Sequence, residues 1–374
     1  MSLDLPSFAA KVTRLREMFG ESVEDLAGAT GVPAPILREL EAGGREPTGD
    51  QILILADHFD CDFRFFVSNE GDAPIERAEK LFRAYDKELS FADRRRIQEF
   101  LFLCENEAFL LADLDRPQPV QFRAEKQGTF YKGHGQAAAE RLRVTLGCDV
   151  REVPDVFSDL RRLGIHVFRR RLESTAISGL FMAHPSAGPC VLVNYDEDFY
   201  RQRFTAAHET AHALFDQGDE YVVSFSRHDL REIRADAFAG AYLVPPQMVA
   251  MLRDSAWTEE RLLDLADQLR VNVKVLTIAL QRDGRMSAES AKSFDHLRLP
   301  RHAKEDPELP ESLSPNSRAR KRILLERGLS SFYAELCFEA HSRERISSAR
   351  LAELLLTDES ELRDIGALFG IAGA

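Results

Sequence analysis

The sequence predicts a mainly helical α+β protein. Five short helices open the chain, a central helical region carries a small three-stranded sheet, and a helical region closes it. Three observations lead to this reading. Residues 7 to about 68 alternate short amphipathic runs with capping and turn residues. At Gly164 the apolar period shortens toward that of strands, and at Tyr200 it returns to that of helices. From Ser317 to about Phe369 helical spacing resumes. With 374 residues, 44% hydrophobic and 30% charged, the chain can hold two or three domains with proper cores.

The N-terminal elements follow from local signals. Phe8 to Phe19 is amphipathic. Ser22 can cap a helix running to Thr30, with Asp25 three residues on in a capping-box position. Gly31-Val32 makes a tight turn, Pro33 starts a third helix with Leu37 and Leu40 facing inward, and Gly43-Gly44 ends it. Thr48 or Asp50 caps a fourth helix carrying Ile52, Leu53 and Leu55. The order, with Leu26-Ala27, Gly31-Val32, Leu37, Leu40-Glu41, Gly43 and Pro47, resembles the Cro/repressor-type (XRE) helix-turn-helix domain. In that fold the third helix enters the major groove with its first turn against base edges. Here this turn reads Pro33-Ala34-Pro35-Ile36 and offers no Arg, Asn or Gln to a base. Arg38 and Arg45, with Lys11, Arg14 and Arg16 of the first helix, are the candidates for phosphate contact. Residues 1–70 hold six Lys/Arg against thirteen Asp/Glu, so a helical docking or dimerisation module is the bland alternative to a DNA reader.

Ile75 to Leu114 reads as two helices that link or dimerise the domains, broken by Arg116-Pro117-Gln118-Pro119. Segment 120–134, with Gly128, Gly133 and Gly135 nearby, reads as loop. Helices are expected over Gln136–Leu146 and Val153–Leu163. Ile165, Val167 and Leu172 suggest a strand with Arg169, Arg170 and Arg171 at a solvated end. Ala176–Ala183 and Pro189–Asn194 form two more, joined through His184 to Gly188. Tyr200–Phe215 is a helix, and a second begins at His228 or Asp229 and stops before Pro245-Pro246. Thr258–Leu269 and Val273–Gln281 follow. Residues 284–316 are rich in Pro, Ser and charge and look like a linker. The C-terminal helices begin with Arg318, Arg320, Lys321 and Arg322, the best candidate for an anion-contacting patch.

The net charge of −13 argues against nucleic-acid binding through the whole surface. Cys61, Cys104, Cys148, Cys190 and Cys337 are scattered and odd in number, which points away from disulfides and toward the reducing cytoplasm. The first residues lack a basic n-region followed by an apolar h-region, so no signal peptide is expected, and no segment has eighteen consecutive apolar residues, so no membrane partner is expected.

The chemistry concentrates in the Tyr200–Phe215 helix. His208, Glu209 and His212 have the spacing H-E-x-x-H, which places both imidazoles on one helix face. Glu209 points to one side of that pair, where an attacking water would sit. Catalytic zinc takes three protein ligands and keeps a fourth position open. Glu232 is the candidate third donor. Asp236, one turn beyond it, can accept the second N–H of a ligand histidine and fix its tautomer. Glu220 is closer in sequence but falls in the loop. Imidazole and carboxylate donors suit manganese as well as zinc. An oxyanion donor is also needed, and Tyr221, His228 and Tyr242 are candidates among which the sequence does not choose.

RFTAAHETAH followed by EIRADAFAGAYLVPP resembles the ImmA/IrrE family of zinc metallopeptidases, and ISGLFMAHPSAGPCVLVN matches that family's strand pair. The resemblance covers roughly residues 140–255. It implies a zincin-like domain, metal ligands at His208, His212 and Glu232, and a general base at Glu209. Thr210-Ala211 stands where many relatives have an apolar residue and Gly, and Ala is small enough to serve. Relatives cut an XRE-type repressor, usually one encoded beside them, after stress or DNA damage. The resemblances together imply an XRE-like domain at 1–70, a helical linker at 71–119, a peptidase domain at 120–285, and a linker with a helical C-terminal domain at 286–374. The expected partners are an XRE-type repressor as substrate, DNA through residues 1–70, and a second copy of the chain. The alternative is a transcriptional regulator that uses the zincin domain as a sensor with little proteolysis.

Overall fold

Capping chemistry sets the N-terminal helices. In the computed structural model, α1 (Leu5–Met18) is capped by Asp4, whose carboxylate accepts from the Ser7 amide. A reciprocal capping box joins Ser22 and Asp25 at the start of α2 (Val23–Thr30), and Gly31 ends the helix in the left-handed conformation at φ 70°. Helix α3 spans Ala34–Glu41. Thr48 and Gln51 form a second capping box on α4 (Gly49–His58), and α5 (Phe63–Val67) follows. Phe8, Val12, Leu15, Leu26, Leu37, Leu40 and Leu55 are wholly buried among these helices, and Phe8 meets Phe66 with ring centroids 5.6 Å apart. The five expected helices are therefore present, but Leu53 and Ile54 of α4 and Phe63 and Val67 of α5 face outward.

The structure describes residues 3–59, 63–67, 90–126, 129–148, 150–216, 221–222, 230–253 and 256–371. The first half of the expected helical linker lies outside these residues. Its second half is α6 (Phe91–Asp113). The chain divides into two compact units, Met1–Leu103 and Cys104–Ala374.

In the second unit, α7 spans Tyr131–Leu146 and α8 Val156–Arg162. Strand β1 is His166–Arg170, β2 Gly179–His184 and β3 Gly188–Asn194. The metal-spaced helix is α9 (Phe199–Phe215), started by the Asp198 carboxylate accepting from the Arg201 amide at 3.0 Å. A two-residue strand β4 (Tyr221–Val222) precedes α10 (Leu230–Leu243). The three expected strands form one sheet in the order β1-β3-β2, with β4 added outside β2. β1 runs parallel to β3, with Val167 opposite Val191. β2 runs antiparallel to β3, with Gly179 opposite Val193. Val167, Phe181, Val191 and Val193 join Ala206, Ala207, Ala211 and Ala213 of α9 in one core. Alanines keep the helix flank flat, so strands and α10 can approach it closely.

Two expectations change. Helix α7 begins at Tyr131, five residues before the expected start at Gln136, because Gly133 and Gly135 read as loop residues. Gly135 is instead a packing residue. A Cβ there would lie 2.3 Å from the Arg234 carbonyl oxygen and 2.9 Å from the Phe238 amide, so only glycine lets α7 and α10 approach this closely. The basic triplet is not solvated throughout either. Arg169 and Arg170 are 7% and 2% exposed, and Arg169 bonds Asp306 at 2.7 and 3.3 Å while lying over the Phe157 ring at 5.0 Å.

Asp306 belongs to the stretch whose composition reads as linker. That stretch holds a short helix, α14 (Ala288–Ser293), after α11 (Pro246–Ala250), α12 (Glu259–Gln268) and α13 (Val273–Arg282). Glu308 accepts from the Ser331 amide at 2.7 Å, tying the same stretch to the next helices. These are α15 (Pro315–Glu326), α16 (Ser331–Ser342), α17 (Ser348–Leu354) and α18 (Leu362–Phe369). Among the described residues no helix is long and apolar enough to cross a membrane.

Candidate metal centre

Helix α9 presents His208 and His212 from successive turns, and α10 brings Glu232 to them from its first turn. The Nε2 atoms of the two histidines are 3.2 Å apart. Glu232 Oε2 lies 3.2 Å from His208 Nε2, and Oε1 lies 3.3 Å from His212 Nε2. One donor atom from each residue thus lies within 4.8 Å of the others, a group among the described residues that could hold a metal ion. The spacing suits a metal. Tetrahedral zinc with ligand distances of about 2.0–2.2 Å separates its donors by roughly 3.3–3.6 Å. Two nitrogens and a carboxylate oxygen are also the donor set of a catalytic rather than a structural site.

The other nitrogen of each imidazole is held by a carboxylate. His208 Nδ1 is 2.9 Å from Asp236 Oδ1, and His212 Nδ1 is 3.0 Å from Asp216 Oδ2. The two supports differ. The Asp236 side chain is 63% exposed, whereas Asp216 is 3% exposed and takes two bonds from the Arg234 guanidinium at 2.6 and 2.7 Å. Arg234 in turn lies over the Phe215 ring at 4.5 Å. Sequence reasoning found Asp236 but missed Asp216 and Arg234. The signal for Asp216 was its position four residues after His212, on the same face of α9.

Electrostatics follow this packing. Burial by itself would lower the His208 pKa, but the Asp236 and Glu232 carboxylates outweigh it and raise it to about 10. His212 is likewise raised by Asp216 and Glu232 against burial. Burial would raise Glu232, yet the two imidazoles hold it down at about 2. The site therefore turns carboxylates toward two rings, and a bound cation would take the place of their protons.

Glu209 is 1% exposed and lies against β2, where a Cβ on Gly179 would come within 2.9 Å of Glu209 Oε1 and 2.5 Å of Thr205 Cγ2. The first residue of β2 is thus a glycine because the Thr205 methyl and the Glu209 side chain occupy the space beside it. The candidate oxyanion donors fare differently. Tyr242 is buried in the core, and its hydroxyl donates to Asp159 Oδ2 at 2.6 Å. Burial and that carboxylate hold the phenol well above its usual range. It is committed to α8, which leaves Tyr221 and His228. The Tyr221 side chain, His228 and the rival acid Glu220 lie outside the described residues.

In the first unit, three of the five candidate phosphate contacts pair with acids. Arg38 pairs with Glu24, Arg45 with Glu39 at 3.2 Å, and Arg16 with Glu41 at 2.6 Å. Lys11 is buried and donates to the Phe65 carbonyl.

Comparison with known families places these features. Residues 160–281 match the peptidase M78 family, described as the IrrE N-terminal-like domain, and residues 12–66 match the helix-turn-helix family. The first match contains His208, Glu209, His212, Asp216, Glu232 and Asp236. No curated protein matches the chain. The chain is accordingly a fusion of an XRE-type helix-turn-helix domain with an IrrE-like peptidase domain.

Proposed function

We propose that the chain is a regulatory, metal-dependent endopeptidase. The observation that carries this reading is the convergence of His208, His212 and Glu232 with the buried carboxylate of Glu209 one residue from the first ligand. A divalent metal in this site, zinc or manganese, supplies Lewis acidity at the scissile carbonyl. The chain's own residues do the rest. Asp216 and Asp236 fix the two imidazoles, and Arg234 keeps Asp216 ionised. Glu209, in a water-poor setting, takes a proton from the attacking water and returns it to the departing amine nitrogen.

The substrate we assign is a helix-turn-helix repressor, cut to relieve repression under stress or DNA damage. Support comes from the pairing of an IrrE-like peptidase domain with an XRE-type domain in one chain. The division of labour places substrate or DNA recognition in residues 1–70 and cutting in residues 120–285. The internally paired arginines and apolar α3 turn favour recognition of a partner protein over direct base reading.

The test incubates the full chain, loaded with zinc or manganese, with the repressor encoded nearby, beside a Glu209→Gln variant. Wild type should release two fragments, and the variant should be slower by about two to four orders of magnitude. Equal survival of the repressor in both samples would overturn the peptidase reading and leave a regulator in which the zincin domain only senses.

A further inference from the structure

A cavity of about 710 Å³ lies in the second unit, walled by the first turn of α9 on one side and by α15 on the other. That volume is within the range of small-molecule sites. Most charges on its wall are already matched. Asp306 holds Arg169, Asp198 holds Lys304 at 3.0 Å, and Glu326 and Asp196 flank Arg171 at 3.5 and 3.6 Å. Arg301 donates to the Asp196 carbonyl at 2.8 Å, and two further cations are left over. Arg318 and Arg322 sit one turn apart on α15, and both line the cavity. Neither guanidinium has an ion pair or hydrogen bond among the described residues, and Arg318 Nε is buried without an acceptor.

This arrangement costs stability. Like charges four residues apart on a helix repel, and a buried donor without an acceptor forfeits its solvation. By contrast, Arg320 on the same helix is paired with Asp364 at 3.0 Å. An anion in the cavity would satisfy both guanidiniums at once, and the planar Arg fork matches phosphate oxygens in pairs. The exposed Glu305 and Glu311 also line the cavity. They would repel an extended polyanion such as nucleic acid but accept hydrogen bonds from hydroxyl groups.

We propose that the cavity between α9 and α15 binds a small phosphate monoester, its phosphate held by Arg318 and Arg322 and its hydroxyls facing Glu305 and Glu311. Its wall includes the opening turn of the helix that carries His208 and His212, so a ligand here touches the element that positions the metal site. Binding does not depend on the peptidase reading.

The test is calorimetric titration of the full chain with glycerol 3-phosphate at fixed ionic strength. Wild type and Glu209→Gln should bind alike, Arg320→Gln should bind as wild type, and Arg318→Gln/Arg322→Gln should bind at least about tenfold more weakly. The single Arg322→Gln change, at an exposed position, covers the case in which the double variant unfolds, and should itself weaken binding. Absence of binding by wild type would overturn the proposal. Equal weakening by Arg320→Gln would overturn it too, because the effect would then be one of overall charge.

Discussion

Two aspartates support the two histidines of the candidate centre, and their surroundings make them unequal. Asp216 is buried and clamped by Arg234, so its bond to His212 Nδ1 acts in a low-dielectric setting with no competing water. Asp236 is mostly exposed, and water competes for the same bond to His208. Asp216→Asn should therefore lower metal affinity by about 10–100-fold, as loss of an outer-shell partner does. Asp236→Asn should lower it by no more than about fivefold, the scale of an exposed charge interaction. Metal titration against a competing chelator separates the two. Equal losses would mean that burial does not set the hierarchy. Removing Asp216 also strands Arg234, 2% exposed, so Asp216→Ala should cost about 3–5 kcal/mol in urea unfolding, more than its effect on the histidine alone explains.

At the scale of elements, two glycines fix how closely the parts of the site approach. Gly135 lets α7 lie against the backbone of α10, the helix that brings Glu232 to the histidines. Gly135→Ala should destabilise the protein by about 1–3 kcal/mol, the usual cost of overpacking, and weaken metal binding by displacing Glu232. Gly179→Ala acts elsewhere: its Cβ meets Glu209 and Thr205, not the ligands. It should slow cleavage while leaving metal affinity within about twofold of wild type, since no donor atom moves. Loss of metal by Gly179→Ala would show that β2 braces the ligands as well as the base.

These glycines also show what the sequence could and could not express. His208, Glu209 and His212 were legible because helical spacing is a local property, Glu232 because a third donor was needed and the family resemblance supplied it, and the caps of α2 and α4 because capping residues sit beside the helices they start. Gly135 was misread because a glycine demanded by a neighbouring helix looks the same in sequence as one demanded by a turn. Arg169 was misread for the same reason. A strand-end arginine reads as solvated until a carboxylate 137 residues later is brought to it. Tyr242 shows the converse: its type suited an oxyanion donor, but only packing reveals that its hydroxyl is spent on Asp159.

At the scale of the whole molecule, metal binding should stabilise one of the two units and not the other. All three candidate ligands belong to the second unit, Cys104–Ala374, and an ion that binds only the folded state stabilises it by about 4 kcal/mol at a thousandfold excess over Kd. Trp257 is the chain's single tryptophan, and it lies in that unit with its indole N–H on the Arg285 carbonyl at 2.8 Å. Its fluorescence therefore reports unfolding of the metal-bearing unit alone. Chelation should move the tryptophan transition to lower temperature by several degrees, the shift about 4 kcal/mol produces in a domain of this size. Amide hydrogen exchange of α9 and α10 should accelerate in parallel. Exchange in α1 to α4 should stay as it was, because none of their buried residues belongs to the unit that holds the ion. Equal acceleration in α1 to α4 would mean that the helix-turn-helix unit draws its stability from the peptidase unit, and the two halves of the fusion would then fold as one.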